Sequence, residues 1–143
     1  MYKRQDFEFA KKRGLKLLCA NPDIIVDRGS VREWCAGALA KMYTDLGGES
    51  LYFGKPFKPI YDLARRRLEA SGVQIKNNRI LAIGDGITTD ILGAEQEGID
   101  SLFITGGLAA LETGTKEQPD QDLLKHYLDQ QKLSPAYSIG FLR

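Results

Sequence analysis

No apolar run in this chain approaches the ~20 residues needed to span a bilayer, so the 143 residues hold no membrane-spanning helix and no membrane partner is expected. The opening, Met1 to Phe9, has basic residues but lacks the apolar centre of a signal peptide. Only two cysteines occur, Cys19 and Cys35, too few for a disulfide framework or a thiolate metal site. Both lie on apolar patterns and are expected to pack as small hydrophobes. The one histidine, His126, falls on a polar helix flank and reads as a solvated residue. An excess of either charge is also missing: twenty basic against nineteen acidic residues leave +1. That balance excludes an extended polyanion surface, so no nucleic-acid partner is expected. The densest basic run, Arg65-Arg66-Arg67, reads as a solvated helix face. Neither an internal repeat nor a low-complexity tract is present. What is left is a soluble, reduced, cytoplasmic class of protein, one ordinary domain or pieces of two.

The pattern that is present alternates short apolar runs with helical stripes. The first dozen residues read as the end of a helix closed by Gly14. Leu15 to Cys19 reads as a strand, Asn21-Pro22-Asp23 as a turn, and Ile24 to Val26 as extended chain. Ser30 and Glu33 have capping-box spacing, which predicts a helix carrying Val31, Trp34, Cys35, Ala38, Leu39, Met42 and Leu46 on one face, with Trp34 in the core. Gly47-Gly48 would stop it. Leu51 to Phe53 is a short extended piece. A helix to about Ala70 should turn Ile60, Leu63, Ala64 and Leu68 inward, with Gly72 beyond its end. Strands are expected at Ile80–Ile83, Ser101–Thr105 and Tyr137–Ile139. Helices are expected from about Thr88 to Gln96 and from Asp122 to Gln131, the latter burying Leu123, Leu124, Tyr127 and Leu128. Residues 113–120 read as loop. From about residue 50 this βα alternation predicts a parallel sheet, while residues 1–49 differ in character.

The most informative stretch is Arg79 to Asp90. An apolar strand stops at Gly84, and Asp85 and Asp90 follow at a helix entry. A buried strand delivering paired acids to its carboxyl end suits a hard cation such as Mg²⁺. Two adjacent carboxylates repel each other unless a cation intervenes, and a divalent ion also takes up charge on a phosphoryl oxygen. Successive parallel strands return to one sheet edge, which is expected to gather Gly54-Lys55-Pro56, Gly84-Asp85 and Thr105-Gly106-Gly107. Lys55 is then predicted beside Asp85. A fixed ammonium ~4 Å from an anion gains about 4 kcal/mol at an effective dielectric of ~20, enough to hold a phosphate. A dinucleotide-binding reading of Gly84-x-Gly86 fails on its third glycine, where Thr89 stands.

These motifs resemble the haloacid dehalogenase-like hydrolase superfamily. Gly54-Lys55-Pro56, then Gly84-Asp85-x-x-x-x-Asp90 running on to Ala94, is similar to the subclass IIA phosphatases that include NagD. Cys19-Ala20-Asn21-Pro22-Asp23 and the Gly37–Ala40 helix resemble the end of that subclass's cap domain. The resemblance covers residues 15–107. It implies an α/β fold, a three-layer Rossmann-like parallel sheet preceded by the end of an α/β cap. Residues 1–49 would be a remnant of the cap and residues 50–143 the carboxyl half of the catalytic core. It implies Mg²⁺ as cofactor with Asp85 and Asp90 as its acids, and Lys55 as the residue steadying phosphate and nucleophile. Asn21 and Asp23 would lie in a cap loop that faces the site and helps choose a small phosphorylated metabolite. A homodimer is also compatible with it.

The superfamily's Asp-x-Asp nucleophile motif has no good copy here. At Asp85 the second acid is replaced by Ile87, and Asp6 follows no apolar strand. The expectation is therefore a fragment of a Mg²⁺-dependent phosphomonoester hydrolase working through an aspartyl-phosphate, inactive alone. The alternative is a catalytically inactive relative that binds phosphorylated ligands or a partner protein. A lone half with an unpaired apolar strand is expected to be poorly stable or to self-associate.

Overall fold

Glycines and one tight hairpin punctuate the first part of the chain. The computed structural model describes residues 2–29 and 31–143, and the chain divides into two units, Met1–Ile60 and Tyr61–Arg143. In the first unit, helix α1 (Tyr2–Lys12) ends at Gly14, whose φ of 66° favours a residue without Cβ. Strand β1 (Lys16–Cys19) pairs in parallel with β4 (Glu49–Tyr52), Leu18 facing Leu51. Between them β2 (Ile25–Arg28) and β3 (Val31–Trp34) form an antiparallel hairpin, followed by α2 (Ala36–Asp45). Cys19, Ala40 and Tyr43 are buried here, and the Tyr43 hydroxyl donates to the Leu15 carbonyl.

The hairpin corrects the predicted helix over residues 31–46. Ser30, the expected cap, lies outside the described residues, while Val31 and Glu33 belong to β3. Arg28 faces Val31, so two residues connect the strands, and Gly29 has φ 62°. A glycine with positive φ in a two-residue connection matches the twist of a hairpin better than a helix entry. Helix α2 starts only after Cys35, an extended N-cap residue. Trp34 consequently stands on a strand and is 78 % exposed, not in the core.

Cys19 is 2 % exposed, and burial pushes its thiol above the usual cysteine range, with Cys35 and Asp23 adding to the rise against the Asn21 backbone. A thiol raised in this way holds less thiolate at a given pH. Cys19 is therefore expected to react with iodoacetamide at pH 8 at least about tenfold more slowly than a free thiol. Peptide-mapped alkylation checks this, with the partly exposed Cys35 as the internal comparison. Equal labelling of Cys19 and glutathione would refute the burial.

Helix α3 (Lys58–Ala70) leads to β5 (Leu81–Gly84), α4 (Leu92–Gln96), β6 (Asp100–Ile104), α5 (Gln121–Gln131) and β7 (Tyr137–Ile139). The sheet order is β5-β6-β7, all parallel, as the alternation of strand and helix predicts. Its covered face carries Phe103, packed with Ile87, Ile91, Ala109, Leu124 and Leu133. Asp120 caps α5 by accepting from the Asp122 and Leu123 amides.

Three packing expectations are corrected. No residue of α3 is buried, so Ile60, Leu63, Ala64 and Leu68 form only a partly covered stripe. Arg65 is not solvated like Arg66 and Arg67; it reaches Glu97 and Asn77 and lies 3.9 Å from Asp62. On α5, Leu124 is buried with Tyr127 and Leu128 against the core, but Leu123 points outward.

Candidate functional site

The predicted residues fall into two groups, one in each unit. In the first unit the segment Ala20 to Asp23 is clamped between glycines. A Cβ on Gly37 would stand 1.9 Å from the Pro22 carbonyl oxygen, and one on Gly54 would stand 2.2 Å from Pro22 Cδ. Only glycine allows these approaches. The Gly37 amide donates to Asp23 O at 3.0 Å. Asn21 Oδ1 accepts from the Asp23 amide at 3.2 Å, and Asn21 Nδ2 meets Cys35 Sγ at 3.3 Å. The Asn21 side chain thus shapes the loop. Asp23 is part-exposed on it. Exposed Lys55 follows Gly54 directly, so this unit brings Asn21, Asp23 and Lys55 onto one clamped patch of backbone. Tyr52 and Phe57 stack at 4.7 Å and bracket it.

Lys55 and Asp85 do not follow strands of one sheet, contrary to the expected shared edge. β4, which precedes Lys55, pairs with β1 and belongs to a different sheet from β5.

In the second unit β5 delivers Asp85 at its carboxyl end. Asp85 Oδ2 accepts from the Leu108 amide at 3.3 Å. A Cβ on Gly107 would meet the same oxygen at 2.1 Å, so Gly106-Gly107 and Asp85 do come together as the parallel geometry predicts. Asp90 is 8 % exposed, and its Oδ2 accepts from the Gly86 amide at 3.1 Å. The Gly86 carbonyl collects the amides of Thr89, Asp90 and Ile91 at 3.2, 2.7 and 3.2 Å, one turn of π-helix over Ile87–Ile91. Such turns recur at functional sites. This turn folds Asp90 back over the strand end, where a Cβ on Gly84 would meet its Cγ at 2.1 Å.

Other groups support the loops without any sequence signal. Thr115 Oγ1 donates to Thr105 Oγ1 at 2.9 Å and lies 2.7 Å from Thr113 Oγ1, which donates to Ala109 O at 2.7 Å. This hydroxyl chain pins the turn that presents Gly107 and Leu108. Burial, then the negative charges of Asp90 and Glu97, raise the Tyr61 phenol above its usual range, so it stays neutral near Asp90. Asp120-Gln121-Asp122 repeats an acid-x-acid spacing, but Asp120 is committed to capping α5.

Among the described residues no group of three or more His, Cys, Asp or Glu side chains forms a metal cluster. Asp85 and Asp90 still fit Mg²⁺, which takes one or two carboxylates and fills its shell with water and phosphate oxygens.

A family model described as HAD-hydrolase-like matches residues 52–130. A haloacid dehalogenase-like family hydrolase from Brucella suis is 39 % identical with a TM-score of 0.75, over 98 % of this chain and 49 % of its own. A possible sugar phosphatase of the same superfamily from Cytophaga hutchinsonii gives 21 % identity and a TM-score of 0.74, over 99 % of this chain and 47 % of its own. A p-nitrophenyl phosphatase from Archaeoglobus fulgidus gives 21 % and 0.65, over 92 % and 45 %. The last two, at such identity, speak for the fold alone. The chain spans about half the length of these solved relatives. No match was found among curated proteins.

Proposed function

The chain belongs to the haloacid dehalogenase-like hydrolases, of the NagD-like subclass IIA, and on that premise we propose that it carries the metal- and phosphate-holding half of a Mg²⁺-dependent phosphomonoesterase. The observation that carries the reading is the strand end itself, Asp85 set between Gly107 and the Leu108 amide with Asp90 tied back to Gly86. Asp85 and Asp90 would hold Mg²⁺, which when bound supplies positive charge to a phosphoryl oxygen. Asp90 also fixes the loop that aims Asp85. Lys55, a point charge on a flexible stem, steadies the phosphate and the attacking carboxylate. That carboxylate comes from a complementary half. It attacks phosphorus in line, the ester P–O bond breaks as the leaving oxygen takes a proton from water, and a further water then cleaves the aspartyl-phosphate to phosphate and the free carboxylate. Asn21 and Asp23, on the clamped loop, contribute to choosing the small phosphorylated substrate. In this reading residues 1–49 derive from the cap and 50–143 from the core.

Isothermal titration of the 143-residue chain with MgCl₂ in the presence of inorganic phosphate tests the reading. Binding lost in Asp85→Asn is expected, and no Mg²⁺ binding by the wild-type chain would overturn the metal assignment. Binding that persists while every assembled form fails to hydrolyse p-nitrophenyl phosphate would favour the ligand-binding alternative.

A further inference from the structure

The turn that presents the Leu108 amide to Asp85 begins and ends on threonines. Thr105 leaves β6, Gly106, Gly107 and Leu108 follow, and the chain winds back on itself. The Ala110, Thr113 and Thr115 amides donate to the Gly107, Ala109 and Ala110 carbonyls along the way. Gly114, with φ 60°, completes the reversal and returns Thr115 to Thr105. The limb at Thr105 is anchored through backbone, since the Thr105 and Gly106 amides donate to Ile139 O at 2.9 Å and Gly140 O at 2.8 Å. The returning limb meets that anchor through the Thr115 hydroxyl, at 2.9 Å from Thr105 Oγ1. Gly106 and Gly107, between this clasp and Leu108, have no side chain that could hold the turn instead. The Leu108 amide stands 3.3 Å from Asp85 Oδ2, at the long limit of an N–H···O bond, so a small shift of the turn would release it.

We propose that Thr115 is a positioning residue for Asp85: its hydroxyl clasps the turn to Thr105 and thereby keeps the Leu108 amide on the Asp85 carboxylate. The inference rests on the proposed role of Asp85 in holding Mg²⁺. With Oδ2 tied to Leu108, the carboxylate is oriented before a cation arrives, and less freedom is lost on binding. Removing the Thr115 hydroxyl strands no buried partner. Thr113 still donates to Ala109 O at 2.7 Å, and Thr105 Oγ1 still donates to Ile139 O at 3.3 Å. The clasp can therefore be opened without the cost of an unsatisfied buried hydroxyl.

The test compares Thr115→Val, which keeps the shape and loses the hydroxyl, with Thr115→Ser, which keeps the hydroxyl. Amide exchange is read on the metal-free chain, and Mg²⁺ binding by titration with MgCl₂ in the presence of inorganic phosphate. In Thr115→Val the Leu108 amide is expected to exchange at least about threefold faster, with Phe103 in β6 unchanged. Its Mg²⁺ binding should weaken at least about tenfold. Thr115→Ser should match the wild type in both. Unchanged Leu108 exchange in Thr115→Val, acceleration that spreads to Phe103, or no recovery in Thr115→Ser overturns the inference. So does faster Leu108 exchange with unaltered Mg²⁺ binding, which leaves the proposed function standing. A wild-type chain that binds no Mg²⁺ sinks the proposed function instead, and Leu108 exchange then decides the clasp by itself.

Discussion

Asp85→Asn is expected to lower p-nitrophenyl phosphate turnover at least about a hundredfold in the assembled phosphatase of the proposed function. The substitution removes one negative charge at the end of β5 while keeping the shape that accepts the Leu108 amide. Two unit charges ~4 Å apart interact by about 4 kcal/mol at an effective dielectric of ~20, and each ~1.4 kcal/mol is tenfold in rate. Asp90→Asn should cost less, because an amide oxygen can still accept from Gly86 and hold the loop. Lys55→Ala should raise KM as well as lower kcat, since the ammonium would touch phosphate in both ground and transition states. Steady-state kinetics of the three variants decide the matter. Turnover of Asp85→Asn within threefold of wild type would remove Asp85 from the chemistry.

The acidic strand end was legible in the sequence because its signals are local. Four apolar residues, a glycine stop and two acids need only strand and helix-entry rules, and β5 and the π turn follow them. The hairpin at residues 25–34 is hidden in the sequence because two local signals compete there. Ser30 and Glu33 have capping spacing, whereas Gly29, at positive φ, suits a hairpin connection. The antiparallel pairing of Ile25–Arg28 with Val31–Trp34 decides it, a cross-strand pattern that the helical spacing of Val31, Trp34 and Cys35 masks. Partner choice for β4 has no local signal, because a strand's sequence does not name its neighbour, here β1. Arg65 looked solvated because its partner Glu97 lies thirty-two residues away. The hydroxyl chain of Thr105, Thr113 and Thr115 has no spacing rule at all; it exists because one turn folds back over β6.

Gly84→Ala should destabilise the chain by about 3 kcal/mol, through overpacking of ~1–3 kcal/mol and strain on a charge-assisted hydrogen bond of ~1.5–3 kcal/mol. The new methyl would fall 2.1 Å from Asp90 Cγ and 2.2 Å from its Oδ2. Asp90 cannot swing aside cheaply, because it is buried and bonded to the Gly86 amide. Against a total stability of ~5–15 kcal/mol for an ordinary domain, this is a large loss, about 10 °C in Tm. A general weakening of β5 would give the same loss by a different route, and a double-mutant cycle separates them. If the clash is the cause, Gly84→Ala added to Asp90→Gly should cost under about 1 kcal/mol, because the Asp90 Cβ that would stand 2.5 Å from the new methyl is then gone as well. Additive losses in urea melts would mean that the strand, not the acid folded over it, requires the glycine. The loop would then owe its shape to the Gly86 carbonyl, with its three amides, and not to Asp90.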